Sequence, residues 1–270
     1  MRVALAAVLA IGFGGAAIAD SPAQRIVSLD YCSDQFVLKL LPRSRILAVS
    51  PDAERHFSYM RDSADGIAQV RPVAEDVLII GPDLIVRSYG GGAHAAKFFE
   101  HAGVPVLQVP YAGTIGEIRS AIAFLANELG VSERGKDVIA TMDDRLKRVQ
   151  NKSKPKSVLY MTPSGVTSGP GTLVHEMLLA AGLTNFESQP GWRSIPLERM
   201  AYEQPDMVAA AFFSVDTNHP AMWSPMRHPV AKRQLRDRPT VMLEGAWTSC
   251  GGWFLLDAIE ALAGVSAQMK

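Results

Sequence analysis

AEDVLIIGPDLIV, residues 74–86, joins two kinds of structure across one Gly-Pro pair. AEDVLII (74–80) reads as a helix that stops before Gly81-Pro82, because proline disfavours helical geometry in the residue ahead of it. DLIVRS (83–88) then reads as a short apolar strand. A second stretch, PLERMAYEQPDMVAA (196–210), has the same construction: a glutamate, a short helix, Pro-Asp and an apolar strand. In both, the Pro-Asp pair lies seven residues after the glutamate, which is Glu75 in one and Glu198 in the other. The repetition points to two similar units, one in each half of the chain.

Working outward, the first half alternates strands with helices. RIVSL (25–29) and RILAVS (45–50) read as strands, and SDQFVLKLL (33–41) as a helix with Ser33 as its N-cap. AAKFFEHAG is a helix closed by Gly103, and VPVLQVP a further strand. TIGEIRSAIAFLANELG is a helix capped by Thr114, with Glu117 three residues on in the capping-box pattern. The second half repeats the alternation through KSVLYM, TLVHEMLLAAG, PLERMAYEQ, DMVAAAFF, HPVAKRQL, TVMLEG and GGWFLLDAIEALAG. Between the halves, VSERGKDVIATMDDRLKRVQNK (131–152) is highly charged and free of proline, and reads as one long exposed helix. The expected fold is α/β: two Rossmann-like lobes with central, mostly parallel sheets joined by one long α-helix. The expected divisions are a first lobe over 20–130, a connecting helix over 131–154 and a second lobe over 155–270.

Of the 270 residues 48% are hydrophobic, and Lys+Arg equals Asp+Glu at 27 each. The balance and the lack of a basic stripe argue against nucleic acid as a partner. MRVALAAVLAIGFGGAAIAD (1–20) has the charged start, apolar run and small-residue ending of a secretory signal peptide over 1–19, with cleavage expected near Ala19. No cysteine stands at that point for lipid attachment, so a soluble, monomeric chain in the periplasm is expected, where disulfides are permitted.

RIVSLDYCSDQ, AEDVLIIGPDLIV, GVPVLQVP, SGPGTLVHEMLLAAGLTN, PLERMAYEQPDMV and CGGWFLLDAIEAL occur in an order that resembles the periplasmic substrate-binding proteins of ABC importers for iron-siderophore complexes, haem and cobalamin. The resemblance covers about residues 24–265. It implies a ligand cleft between the lobes, small lobe closure about a stiff helix, and two partners: a metal chelate (ferric siderophore, cobalamin or haem, none covalently bound) and an inner-membrane ABC permease with its ATPase. It also implies docking on that permease through one surface glutamate per lobe, at Glu75 and Glu198. The competing reading of these two is stabilisation of a helix dipole, worth about 0.3–1 kcal/mol.

Ligands of open parallel sheets sit beyond the carboxyl ends of the strands. That rule selects Tyr31, Cys32, Ser50 with the PDAERHF loop, Arg87, Ser88, Tyr89 and Tyr111 in the first lobe. In the second it selects Pro163, Ser164, Ser214 and Trp247 to Cys250, and the resemblance adds Trp192. Flat aromatics suit a corrin, a porphyrin or catechol rings. Arg87 and Arg193 suit an anionic chelate or a carboxylate. Against this, loop aromatics often pack on their own lobe, and Arg87 can be solvated or paired with an acid.

The two cysteines, Cys32 and Cys250, each follow a strand, one in each lobe. A Cys32–Cys250 disulfide across the cleft is expected, with two reduced thiols facing the ligand or two unlinked packing residues as alternatives. A cysteine-dependent exported enzyme using Cys32 as nucleophile is the enzymatic alternative, and a metal-ion carrier without an importer a further one. GGGAH and SGPGT lack the lysine of a phosphate loop, and HEMLLA lacks the second histidine of a zinc-protease helix, leaving His175 exposed on a structural helix. The six histidines show no close metal-ligand spacing, so haem ligation by His56, His94 or His219 would require loops to gather them.

Overall fold

The computed structural model describes residues 22–149, 155–211 and 224–269. The signal-peptide stretch, Ser214 and His219 lie outside the described residues. In chain order the first lobe contains β1 (Ile26–Ser28), α1 (Tyr31–Leu40), β2 (Ile46–Ala48), α2 (Arg61–Ala64), α3 (Ala74–Ile79), β3 (Leu84–Arg87), α4 (Ala95–His101), β4 (Val106–Gln108) and α5 (Ile115–Glu128). Helix α6 (Ser132–Val149) follows. The second lobe contains β5 (Ser157–Met161), β6 (Val166–Ser168), α7 (Leu173–Ala180), β7 (Thr184–Asn185), β8 (Trp192–Ser194), α8 (Leu197–Tyr202), β9 (Met207–Ala211), α9 (Pro229–Asp237), β10 (Thr240–Leu243), α10 (Gly245–Thr248) and α11 (Leu255–Gln268).

The first sheet runs β2-β1-β3-β4 and the second β10-β9-β5-β7, with parallel pairing throughout. Read from β7, the second sheet has the topology of the first. The repeated Pro-Asp pairs explain part of this likeness. Asp83 donates its amide to the Arg25 carbonyl at 3.0 Å, and its carboxylate accepts the Gln24 and Arg25 amides at 2.7 and 2.8 Å. Asp206 does the same to Ser157, donating at 2.9 Å and accepting at 2.7 Å. Each aspartate therefore fixes the register between the two central strands of its own sheet.

Three local expectations are corrected. The first helix starts two residues before Ser33: Asp30 is its N-cap, and Ser33 completes the capping box at the third helical position. Helix α6 is amphipathic rather than exposed all round, burying Gly135, Val138 and Met142. The glycines at 251–252 do not open the last helix, which begins at Leu255.

The largest apolar cluster crosses the boundary between the lobes, joining Phe36, Val37 and Leu40 of α1 and Ile118, Ile122 and Leu125 of α5 to Trp253, Phe254 and Ile259 near α11. Helix α6 adds a charged clasp. Arg145 reaches Asp257 at 2.5 Å and Glu260 at 2.7 Å, and its Nε donates to the second Glu260 oxygen at 2.8 Å. Bidentate pairing of a half-buried guanidinium is among the stronger ionic arrangements. Arg145→Ala should lower the unfolding free energy by about 2 kcal/mol in urea titrations at low salt, with Arg145→Lys recovering only part of it.

Candidate functional site

The segment Ser249 to Phe254, which follows β10 and α10, lies against the loops at the carboxyl ends of β1, β2 and β4. The Ser249 carbonyl accepts the Tyr31 hydroxyl at 3.4 Å. Cys250 is bonded to Cys32, with 5.7 Å between the Cα atoms and 218 residues between them in sequence. Gly251 approaches the Ala112 carbonyl so closely that a Cβ there would lie 3.0 Å from the oxygen. The Trp253 ring meets Phe36 edge-on at 5.6 Å, and Phe254 stacks on Tyr59 at 5.1 Å. The disulfide leaves no free thiol at either cysteine, which removes the reduced-pair, unlinked-packing and cysteine-nucleophile readings.

Around the disulfide the first lobe presents a group of rings. Tyr31 lies 5.1 Å from Phe57 and 6.0 Å from Tyr89, both edge-on. Burial pushes the Tyr31 hydroxyl above its ordinary range; a hydrogen bond from Tyr89 opposes this, and the Asp30 and Asp52 charges add to it. Tyr89 is driven up further, by burial first and then by Tyr31, Asp30 and Asp52. Both phenols therefore stay protonated at neutral pH. Tyr89 remains 52% exposed, so one face of the group is open.

What holds these rings is Asp30, a residue the sequence reading did not single out. Its carboxylate caps α1 through the Ser33 amide at 2.9 Å. It also accepts the amides of Ser88, Tyr89 and Gly90 at 2.8, 3.0 and 2.9 Å and the Ser88 hydroxyl at 2.5 Å. Burial raises its pKa, but the Ser88 hydroxyl and the Gly90, Ser33 and Ser88 amides outweigh that, and the net shift is downward. One turn on, Asp34 is placed differently. It accepts the Ser50 amide at 3.1 Å and hydroxyl at 2.5 Å, and burial pushes its carboxyl up to about 6. The Ser50 and Ser28 contacts oppose that rise and the Asp30 charge adds to it.

The remaining expected residues divide by environment. Ser50 is buried and turned onto Asp34. Arg87 is buried, its Nε donating to the Gly90 carbonyl at 2.8 Å and its Nη2 to that of Gly92 at 3.0 Å, so it braces the loop carrying Tyr89. Trp247 packs against the main core. Tyr111 and Ser164 are exposed, Ser164 within 3.0 Å of the Thr162 hydroxyl. Trp192, 58% exposed, stands on β8, whose antiparallel pairing with β6 was not anticipated, and its ring lies 6.0 Å from buried Tyr160. Arg193 is 3.9 Å from buried Glu187. His175 is half-buried beside Asn185 rather than exposed. Among the described residues no three His, Cys, Asp or Glu side chains gather to hold a metal ion. A cavity of about 240 Å³ lies elsewhere, between Lys39 of α1, Val138 and Met142 of α6, and Trp253.

The model of the periplasmic binding protein family matches residues 26–212, and the chain belongs to that family. It is accordingly a binding protein and not an enzyme. Among solved structures, a periplasmic haem-binding protein from Pseudomonas aeruginosa is 24% identical with a TM-score of 0.70, the alignment covering 90% of this chain and 92% of that one. A periplasmic vitamin B12 binding protein of Vibrio cholerae is 19% identical with a TM-score of 0.67, over 91% and 99% of the two chains. These likenesses establish a common two-lobe fold. An uncharacterized ABC transporter substrate-binding lipoprotein of Bacillus subtilis is 28% identical over 147 residues, 50% of this chain; the match spans about half of that protein, 47% of its length.

Two outcomes test this account of the site. An unfolded carboxyl titrates near about 4, so the raised Asp34 pKa contributes stability that is complete below about pH 4 and lost as pH rises through about 6. Asp34→Asn should flatten that decline in urea midpoints taken across this range; an unaltered slope would mean that Asp34 does not titrate there. The unfolded, unreduced chain should show no reactive thiol. Cys32→Ser/Cys250→Ser should be less stable by at most about 5 kcal/mol, the chain-entropy limit for so long a loop.

Proposed function

We propose that this chain is the substrate-binding component of an ABC importer. It captures a metal chelate in the interlobe cleft and delivers it to an inner-membrane permease and its ATPase. The observation that carries the reading is the cluster of Tyr31, Phe57 and Tyr89 at the carboxyl ends of the first sheet's strands, beside the Cys32–Cys250 bridge to the second lobe. Tyr111 and Trp192 are exposed as well, which leaves their rings free to meet a ligand. Such surfaces take up flat, weakly hydrated rings with little loss of side-chain entropy. Arg87 is committed to the Gly90 and Gly92 carbonyls, so the lip of the first lobe is aromatic more than cationic. That balance favours a macrocycle, cobalamin or haem, over a polyanionic ferric siderophore. The haem- and vitamin B12-binding functions of the structural neighbours agree with this choice. A periplasmic location follows from the family and from the signal-peptide pattern of residues 1–19.

Delivery is assigned to Glu75 and Glu198. Both are exposed at the second position of their helices, α3 and α8. Titration with haem, cobalamin and a ferric catecholate should show stoichiometric quenching of tryptophan fluorescence by one macrocycle, weakened about tenfold or more in Tyr89→Ala. Absence of quenching by all three would refute the ligand assignment. Glu75→Ala/Glu198→Ala should retain the unaltered dissociation constant and lose uptake; normal uptake would refute the docking role.

A further inference from the structure

We propose that the docking epitope of each lobe is a pair, an acid and an apolar knob one helical turn beyond it: Glu75 with Ile79, and Glu198 with Tyr202. This rests on the reading of the two glutamates as docking residues and adds the residues that accompany them.

The duplication of the lobes puts these four residues into register. Asp83 and Asp206 make the same backbone contacts at the start of β1 and β5, so they are equivalent positions. Counting back eight residues from each gives Glu75 and Glu198; counting back four gives Ile79 and Tyr202. Both helices run six residues, with the glutamate second and the apolar residue last. Residues four apart share one helix face.

A single exposed apolar side chain means little on a protein surface. These two are extreme, with Ile79 85% and Tyr202 90% exposed, and they fall at the same place in both lobes. Arg71 is held by Asp76 at 2.6 Å, and Arg199 by Glu203 at 2.7 Å. These two arginines are thus bound to other acids, and Arg25, at the end of α3, to the Ile80 and Gly81 carbonyls. Neither Glu75 nor Glu198 has an ion-pair or side-chain hydrogen-bond partner among the described residues. Each lobe therefore offers an uncommitted anion beside an uncovered apolar group.

The complement is a protein surface with two similar stations, each with a basic side chain next to an apolar socket. A permease that presents the same surface twice would provide that arrangement. A lipid surface is disfavoured, because anionic headgroups repel the two carboxylates. The glutamates supply orientation and encounter rate, and the knobs supply the area removed from water.

The test is binding of the purified chain to nanodiscs holding its ABC permease. Ile79→Ser and Tyr202→Ser should each weaken binding about tenfold, and the double variant about a hundredfold, while the macrocycle titration and thermal melt are unchanged. Phe98→Ser, on exposed α4, should bind as the unaltered chain does. A benzophenone side chain at 79 or 202 should crosslink to the permease. If the double variant binds normally while Glu75→Ala/Glu198→Ala does not, the knobs have no docking role and the glutamates keep theirs. If both double variants bind normally, the docking reading itself fails. Crosslinks only to a second copy of this chain, or to lipid, would also overturn the proposal.

Discussion

Six consecutive residues, Ser249 to Phe254, tie the second lobe to the strand ends of the first, and the Cys32–Cys250 bond is the covalent one of these ties. A covalent bond across 218 residues removes from the unfolded chain most of the arrangements in which the lobes are apart. In the folded chain its effect is local. It fixes the start of α1 against the turn after α10, and so sets the separation of the two strand-end surfaces. The contacts on either side need that separation. The Tyr31–Ser249 hydrogen bond, the Phe36–Trp253 edge contact and the Tyr59–Phe254 stack all join first-lobe groups to second-lobe groups. Gly251 fits because a glycine has no Cβ to press on the Ala112 carbonyl.

Asp30 transmits this order to the ring cluster. It ties the first turn of α1, which carries Tyr31 and Cys32, to the Ser88–Gly90 loop, which carries Tyr89. Arg87 braces the same loop from below. Asp30 and Asp34 show how the partner decides the charge on a buried carboxyl. Both are buried, yet the one surrounded by backbone amides is held ionised while the other is pushed up to about 6. A surface whose tyrosines are fixed in this way loses little further freedom on meeting a rigid ligand, which is the usual advantage of preorganisation.

Most of the alternation of helices and strands was legible because each element buries one face and carries the matching period. Pro-Asp pairs marked the entry to β3 and β9, and their equivalence could be read before any coordinates. The antiparallel pair of β6 and β8 was not legible: its strands are separated by α7 and β7, and Trp192–Ser194 is exposed along its length and shows no apolar alternation. The site was harder to read than the fold. The rule about strand ends selects Cys32, Tyr31 and Tyr89, which the structure brings together, but that rule gives a position along the chain and not a direction for the side chain. Ser50 and Arg87 occupy the right turns and point into the lobe. Asp30 was missed although Asp-x-x-Ser after a strand is a capping pattern, because Ser33 two residues inside the helix was taken as the cap.

The Ser249–Phe254 segment and its disulfide also constrain how the lobes can move. Two bodies joined at two separate places retain rotation only about the line between those places. Here the joints are α6, clasped to α11 by Arg145, and the disulfide. The continuous core between Phe36 and Trp253 resists even that rotation, since opening it would expose packed aromatic surface to water. The ring cluster lies beside one joint, where a rotation displaces atoms least. Tyr31 and Tyr89 therefore keep nearly the same separation from the second lobe through any small change of angle.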